Sequence, residues 1–144
     1  MNPVDAFCKH FEQFHRSSPS DLRKFYTEDV EFIDPVNHLH GLNNLATYLS
    51  ALRDKVEECT FCIHSISESV DSDIKVCFVS WTMMMKLSSL PTKPIEVEGV
   101  SHLKVKADGI FFHRDYFDVG QLVYENIPLL KWVIKAIKSR LREA

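Results

Sequence analysis

Just past Val56 the hydrophobic period of this chain turns to that of strands for about sixty residues, and that change limits the folds open to it. Before it, apolar residues recur at helical spacing. Val4, Phe7, Phe11 and Phe14 do so through His15, and Leu42, Leu45, Leu49, Leu52 and Val56 do so again. After it, residues 60–70, 74–87, 94–106 and 110–118 alternate as strands, separated by "DSD", "SSLPTKP" and "ADG". Helices followed by an antiparallel meander predict an α+β fold, with helices on one side of a sheet.

Local signals place the first elements. Asn2-Pro3 reads as a cap and a first-turn proline, with Asp5 where a carboxylate suits the helix dipole. "SSPSD" repeats the signal with Ser18, Pro19 and Asp21, predicting a short second helix whose apolar side is Leu22, Phe25 and Tyr26. "VEFID" alternates as the first strand, and Asp108-Gly109 suits a tight hairpin. Pro128 opens a last helix to about Leu141. This gives residues 1–127 as one domain and 128–144 as an amphipathic C-terminal helix.

Several function classes are disfavoured by the totals. A net charge of −3 supplies no basic field for nucleic acid. The first twenty residues lack a signal-peptide core, no apolar run is long enough to span a bilayer, and four cysteines suit reduced thiols, so a cytoplasmic compartment is expected. With four glycines and no Gly-rich phosphate loop, no cofactor is expected.

The chemistry-bearing residues cluster in two stretches. In "FIDPVNHLHG" the acid Asp34 follows two large apolar residues and precedes Pro35, so it is either a turn-former or an acid drawn into an apolar pocket. His38 and His40 offer a His-x-His pair, but no third ligand stands at a confident spacing, so no metal is expected and "HLHG" reads as a loop over a pocket mouth. In "ADGIFFHRDYFD", alternation puts Phe111, His113, Asp115 and Phe117 on one face, and on the preceding strand it groups Val97, Gly99, Ser101 and Leu103. Asp115 has the alternative of an ion pair with Arg114 or Arg16, and His113 and His10 that of packed core imidazoles. Cys59-x-x-Cys62 leads into a strand rather than a helix, which argues against a redox or zinc site. "WTMMMKL" reads as core.

"FYTEDVEFIDP", the "HG" before the third helix and "ADGIFFHRDYFD" resemble the nuclear transport factor 2-like superfamily, which includes SnoaL-like cyclases, ketosteroid isomerase and limonene epoxide hydrolase. The resemblance implies a cone of helices on a curved, mostly antiparallel sheet around an apolar pocket, and a homodimer. It puts Asp34 at the isomerase's proton-shuttling aspartate, while that enzyme's oxyanion donors fall on His10 and near Ser101 and are replaced. Asp115 matches the hydrolase's aspartate, but "VSWTMMMKL" lacks the Arg/Asp pair that enzyme needs. The cyclases use an Asp with a His, which Asp34 or Asp115 with His113 would supply. The catalytic set expected is therefore Asp34, Asp115 and His113, with His10, Tyr26, His38, Trp81, Ser101, Phe111 and Phe117 contacting ligand.

Two functions follow as expectations. One is an isomerase, cyclase or hydrolase that moves protons on a small apolar ligand (steroid-, polyketide- or lipid-like). The other is a non-catalytic ligand-binding or dimeric scaffold domain. The last helix adds a partner expectation. Leu129, Leu130, Val133, Ile134, Ala136, Ile137 and Leu141 form a wide apolar face opposite Lys131, Lys135, Lys138 and Arg142, with Trp132 at the border. It suits docking on the body of the domain or on a dimer mate, and alternatively a membrane surface or protein contact through residues 128–142.

Overall fold

A computed structural model describes residues 2–88, 94–122 and 128–143. Helix α1 (Pro3–Glu12) is followed by two 3-10 turns, Phe14–Arg16 and Pro19–Lys24, and by strands β1 (Tyr26–Ile33) and β2 (His38–His40). Helix α2 (Leu42–Lys55) leads to strands β3 (Val56–Asp71), β4 (Ile74–Leu87), β5 (Ile95–Lys106) and β6 (Gly109–Phe117). Helices α3 (Val119–Leu122) and α4 (Pro128–Glu143) complete the chain.

The helix starts work as the sequence predicts. The Asn2 side chain accepts the Asp5 N–H at 2.9 Å. Ser18 and Asp21 form a reciprocal capping box. That second segment winds as a 3-10 turn, however, and Tyr26 opens β1 rather than extending a helix. "HLHG" is likewise not a free loop: His38–His40 pairs antiparallel with β1.

Among the described residues six strands form one curved, unclosed sheet in the order β2-β1-β6-β5-β4-β3. Pairing is antiparallel except between β1 and β6, which run parallel. The α+β expectation is met, with helices on one face of the sheet. Phe7, Phe11 and Phe14 from the first helical stretch meet Leu45 and Leu49 of α2 over the inner residues Val79, Val97 and Leu103. Gly99 is needed here because Trp81, its register partner on β4, lies across it: a Cβ on Gly99 would stand 2.3 Å from Trp81 Cη2.

The register between β5 and β6 is broken once. Val105 faces Ile110 and Lys104 faces Phe112, so Phe111 is the extra residue of a bulge. Its ring lies under Lys106 Nζ instead of facing inward, which corrects the expectation that it contacts ligand. Cys59 is buried and Cys62 exposed, since an odd spacing on a strand sends them to opposite faces, and both are free thiols. Burial pushes the Cys59 thiol up to about 12.

Among the described residues no helix is long and apolar enough to cross a membrane. The predicted last helix is present as α4. Its apolar face is only partly visible: the side chains of Leu129, Leu130, Lys131, Trp132 and Ile134 lie outside the described residues. Val133, Ile137 and Leu141 are exposed, and Lys138 meets Asp118 at 3.5 Å.

Candidate functional site

Between the helices and the sheet lies a cavity of about 90 Å³. Its walls are aromatic and aliphatic, drawn from Phe11, Phe14, Leu49, Phe61 and the methionines Met83 and Met85. Trp81 and Phe117 also line it, as expected. Met83 and Met85 are therefore both core and pocket wall, whereas Met84 between them is exposed, which corrects the reading of the whole "WTMMMKL" stretch as core. Four polar side chains break this surface: Asp34, Tyr48, His113 and Asp115.

Asp34 sits where β1 turns into β2, and it is both a turn-former and a pocket group. Its Oδ1 accepts the backbone N–H groups of Val36 at 2.8 Å and Asn37 at 2.7 Å. Its Oδ2 accepts the Tyr48 hydroxyl at 2.8 Å. The turn consumes one oxygen and the tyrosine occupies the other. Burial, followed by the Asp34 charge, pushes the Tyr48 phenol well above its ordinary value, so it stays protonated and donates. Tyr48 was missed from sequence, although its place between Leu45, Leu49 and Leu52 puts it on the inner face of α2.

His113 and Asp115 form the second polar centre. Both are on β6 and two residues apart, hence on one face, and His113 Nε2 stands 2.6 Å from Asp115 Oδ1. The Ser101 hydroxyl, from the register partner of Asp115 on β5, donates to the same oxygen at 2.5 Å. Trp81 Nε1–H donates to Ser101 Oγ at 2.9 Å. Behind the imidazole, the Tyr26 hydroxyl lies 2.7 Å from Nδ1. Tyr26 is wholly buried and its phenol is held far above its usual range by burial and then by Asp115. A buried hydroxyl proton needs an acceptor, so it goes to Nδ1, which leaves Nε2–H to donate to Asp115.

The result is one continuous hydrogen-bonded chain: Tyr26, His113, Asp115, Ser101, Trp81. It is enclosed by rings, with Phe7 and Phe32 edge-on to the imidazole at 5.1 and 4.9 Å. Neither Arg114 nor Arg16 is the partner of Asp115. Among the described residues no hydrogen bond reaches Asp115 Oδ2. Ser101 lines a smaller annex beside the cavity, with His113 and Asp115. Tyr26 does not line the cavity; it acts on the site through His113.

Two expected ligand contacts fall elsewhere. His38 is exposed on β2, bound to Glu31 at 2.7 Å. His10 is buried on the far side of α1, between Phe11, Phe14 and Phe25. Helical geometry turns His10 away from the cavity that its neighbour Phe11 lines. Burial, with lesser repulsion from Arg53 and Lys24, holds the His10 imidazole down from 6.5 to about 4, although Asp21 opposes this. The folded state binds the His10 proton more weakly than the unfolded chain does. Stability is therefore full above about 6.5 and falls as pH drops towards about 4, by about 2–3 kcal/mol after allowance for partial solvent contact. Urea titrations of wild type and His10→Leu across that range should diverge by this amount; parallel curves would show that the ring is protonated without penalty.

Known proteins resemble the chain in sequence pattern and in fold. Residues 7–113 match the SnoaL-like domain. A protein of unknown function from Burkholderia pseudomallei, with the nuclear transport factor 2-like fold, superposes with a TM-score of 0.71 at 14% identity, covering 85% of this chain and 95% of its own. An LEH-like epoxide hydrolase from M. tuberculosis gives 0.66 at 18% identity, over 92% and 93% of the two chains. A ketosteroid isomerase-like fold from Catenulispora acidiphila, in complex with trimethylamine, gives 0.68 at 14% identity, over 83% and 87%. No curated protein matches the chain.

Proposed function

Because the chain belongs to the SnoaL-like domain family, within the nuclear transport factor 2-like superfamily, we propose that it is an enzyme that moves a proton on a small, mostly apolar molecule. The observation that carries this reading is Asp115, a carboxylate on the wall of an apolar cavity whose Oδ1 is held by Ser101 and His113. Fixed donors on Oδ1 orient the carboxylate without blocking Oδ2. In the proposed step, Oδ2 takes a proton from a carbon beside a carbonyl group and returns it to a second carbon of the same molecule. Atoms and charge balance with no further reactant. His113 and Ser101 hold the carboxylate in place, and Tyr26 fixes the His113 tautomer. Asp34 becomes a positioning residue that orients Tyr48, whose hydroxyl oxygen is available to a ligand donor.

The cavity volume limits the substrate. A space of about 150 Å³ accommodates a benzene ring, and drug-sized ligands use about 300–1,000 Å³. At about 90 Å³ the site suits a small ketone or enone more than an enclosed four-ring steroid. The test is deuterium exchange from D2O into a panel of small cyclic and linear ketones, followed by proton NMR. Catalysed exchange into at least one member is expected. Ligands that bind without exchange would move the protein to the non-catalytic binding reading.

A partner role for α4 has its own support. Val133, Ile137 and Leu141 are spaced at i, i+4 and i+8 and exposed, with Lys135, Arg140 and Arg142 also exposed on the helix. Co-sedimentation with vesicles containing anionic lipid is expected for the full chain and should be lost when Val133, Ile137 and Leu141 are all changed to serine. Equal sedimentation of both would remove the membrane reading. A homodimer is proposed through the outer sheet face, where Phe78 and Tyr116 are exposed; a monomer at all concentrations in sedimentation velocity would rule it out.

A further inference from the structure

The hairpin of β1 and β2 carries a second constellation, on the sheet face opposite the cavity. Glu31 pairs with His40 and Ile33 with His38. Alternation sends Phe32 inward and places Glu31, His38 and His40 together on the outer face. His38 Nε2 lies 2.7 Å from Glu31 Oε2, and His40 Nε2 lies 3.9 Å from the same oxygen. The two imidazole rings stand 4.8 Å apart. One ligand atom from each residue falls within 4.8 Å of the other two.

We propose that Glu31, His38 and His40 bind a divalent transition metal ion of the zinc class. Zinc bonds to nitrogen and oxygen are about 2.0–2.2 Å, so tetrahedral ligand atoms stand about 3.3–3.6 Å apart. The two distances to Glu31 Oε2 bracket that value, and small rotations of two exposed side chains close the difference. Imidazole donors favour zinc, nickel or copper over magnesium and calcium. Three protein ligands leave the remaining position to water or an incoming donor. The third ligand comes from the facing strand, which is why spacing along the chain does not reveal it. The ion would tie β2 to β1 across the turn that contains Asp34, and so hold the carboxylate that orients Tyr48. None of this depends on whether the cavity is catalytic.

The experiment is calorimetric titration of zinc chloride into the full chain in a non-coordinating buffer. One equivalent is expected to bind with micromolar affinity, and the melting temperature should rise in excess zinc. Glu31→Gln, His38→Ala and His40→Ala should each weaken binding by at least the about 10–100-fold that loss of an outer partner costs. These side chains are exposed or half-exposed, so the variants should fold, which circular dichroism checks. Cobalt substitution identifies the donors. Visible d–d bands without thiolate charge transfer are expected, whereas thiolate bands would assign the ion to the exposed Cys62 and overturn the proposal. Absence of saturable binding at millimolar zinc, or full binding by His40→Ala, would overturn it equally.

Discussion

Replacing Asp115 with asparagine is expected to lower ketone deuterium exchange by about 10²–10⁴-fold, the usual contribution of a positioned general base. The amide keeps a carbonyl oxygen where Oδ1 accepts from Ser101 and His113, so the hydrogen-bonded chain survives in outline. What disappears is the basic carboxylate oxygen Oδ2, where an NH2 group now stands. Stability should hold or rise, because a partly desolvated charge has been removed. The measurement is the exchange rate by NMR beside the urea midpoint of the same sample. Slow exchange with an intact midpoint supports Asp115 as the base. Undiminished exchange would mean that the proton goes elsewhere, and Asp34 would be the next residue to change.

The second large effect is on folding. His113→Ala should destabilise the protein by about 3–5 kcal/mol, for two reasons that add. The ring is almost fully buried against Phe7, Phe11 and Phe32, so truncation leaves a hole that rigid aromatic neighbours cannot fill. It also strands the Tyr26 hydroxyl, which has no other acceptor among the described residues. A double-mutant cycle separates the two causes. His113→Phe keeps most of the volume but leaves Tyr26 unsatisfied, and adding Tyr26→Phe should recover part of the loss, since removing both partners of a buried hydrogen bond costs much less than removing one. Loss of under about 1 kcal/mol in His113→Ala would show that water replaces the ring, and the buried chain would then be looser than its geometry implies.

Both effects depend on how strands are paired, and this is where sequence reading reaches its limit. Alternation along β6 correctly put His113, Asp115 and Phe117 on the inner face, and along β5 it put Ser101 there. It failed at Phe111, because a bulge between Lys104 and Val105 inserts an extra residue and resets the alternation. Bulges depend on the partner strand, so a single run of residues carries no sign of one. His10 failed for a similar reason. Its helical stripe is visible in sequence, but which edge of the stripe faces the sheet is decided by packing against Phe25 and the turn before it. Tyr48 was legible, since its spacing from Leu45, Leu49 and Leu52 is helical; a reading confined to aliphatic residues passed over it.

What the sequence determined by itself is the class of fold and, of the apolar lining, Trp81 and Phe117. Both follow from periodicity, a local property that each segment displays alone. The change from period 3.6 to period 2 past Val56 set the run of four strands after α2, and caps at Asn2 and Ser18 set the starts of α1 and the second 3-10 turn. The tertiary structure alone decided which polar atoms meet. Tyr26 and His113 are 87 residues apart, Tyr48 and Asp34 are 14 apart on different elements, and Glu31 reaches the histidines of β2 only through strand register. Hydrogen bonds and metal geometries need fractions of an ångström, and that precision arises only when packing fixes every element against its neighbours.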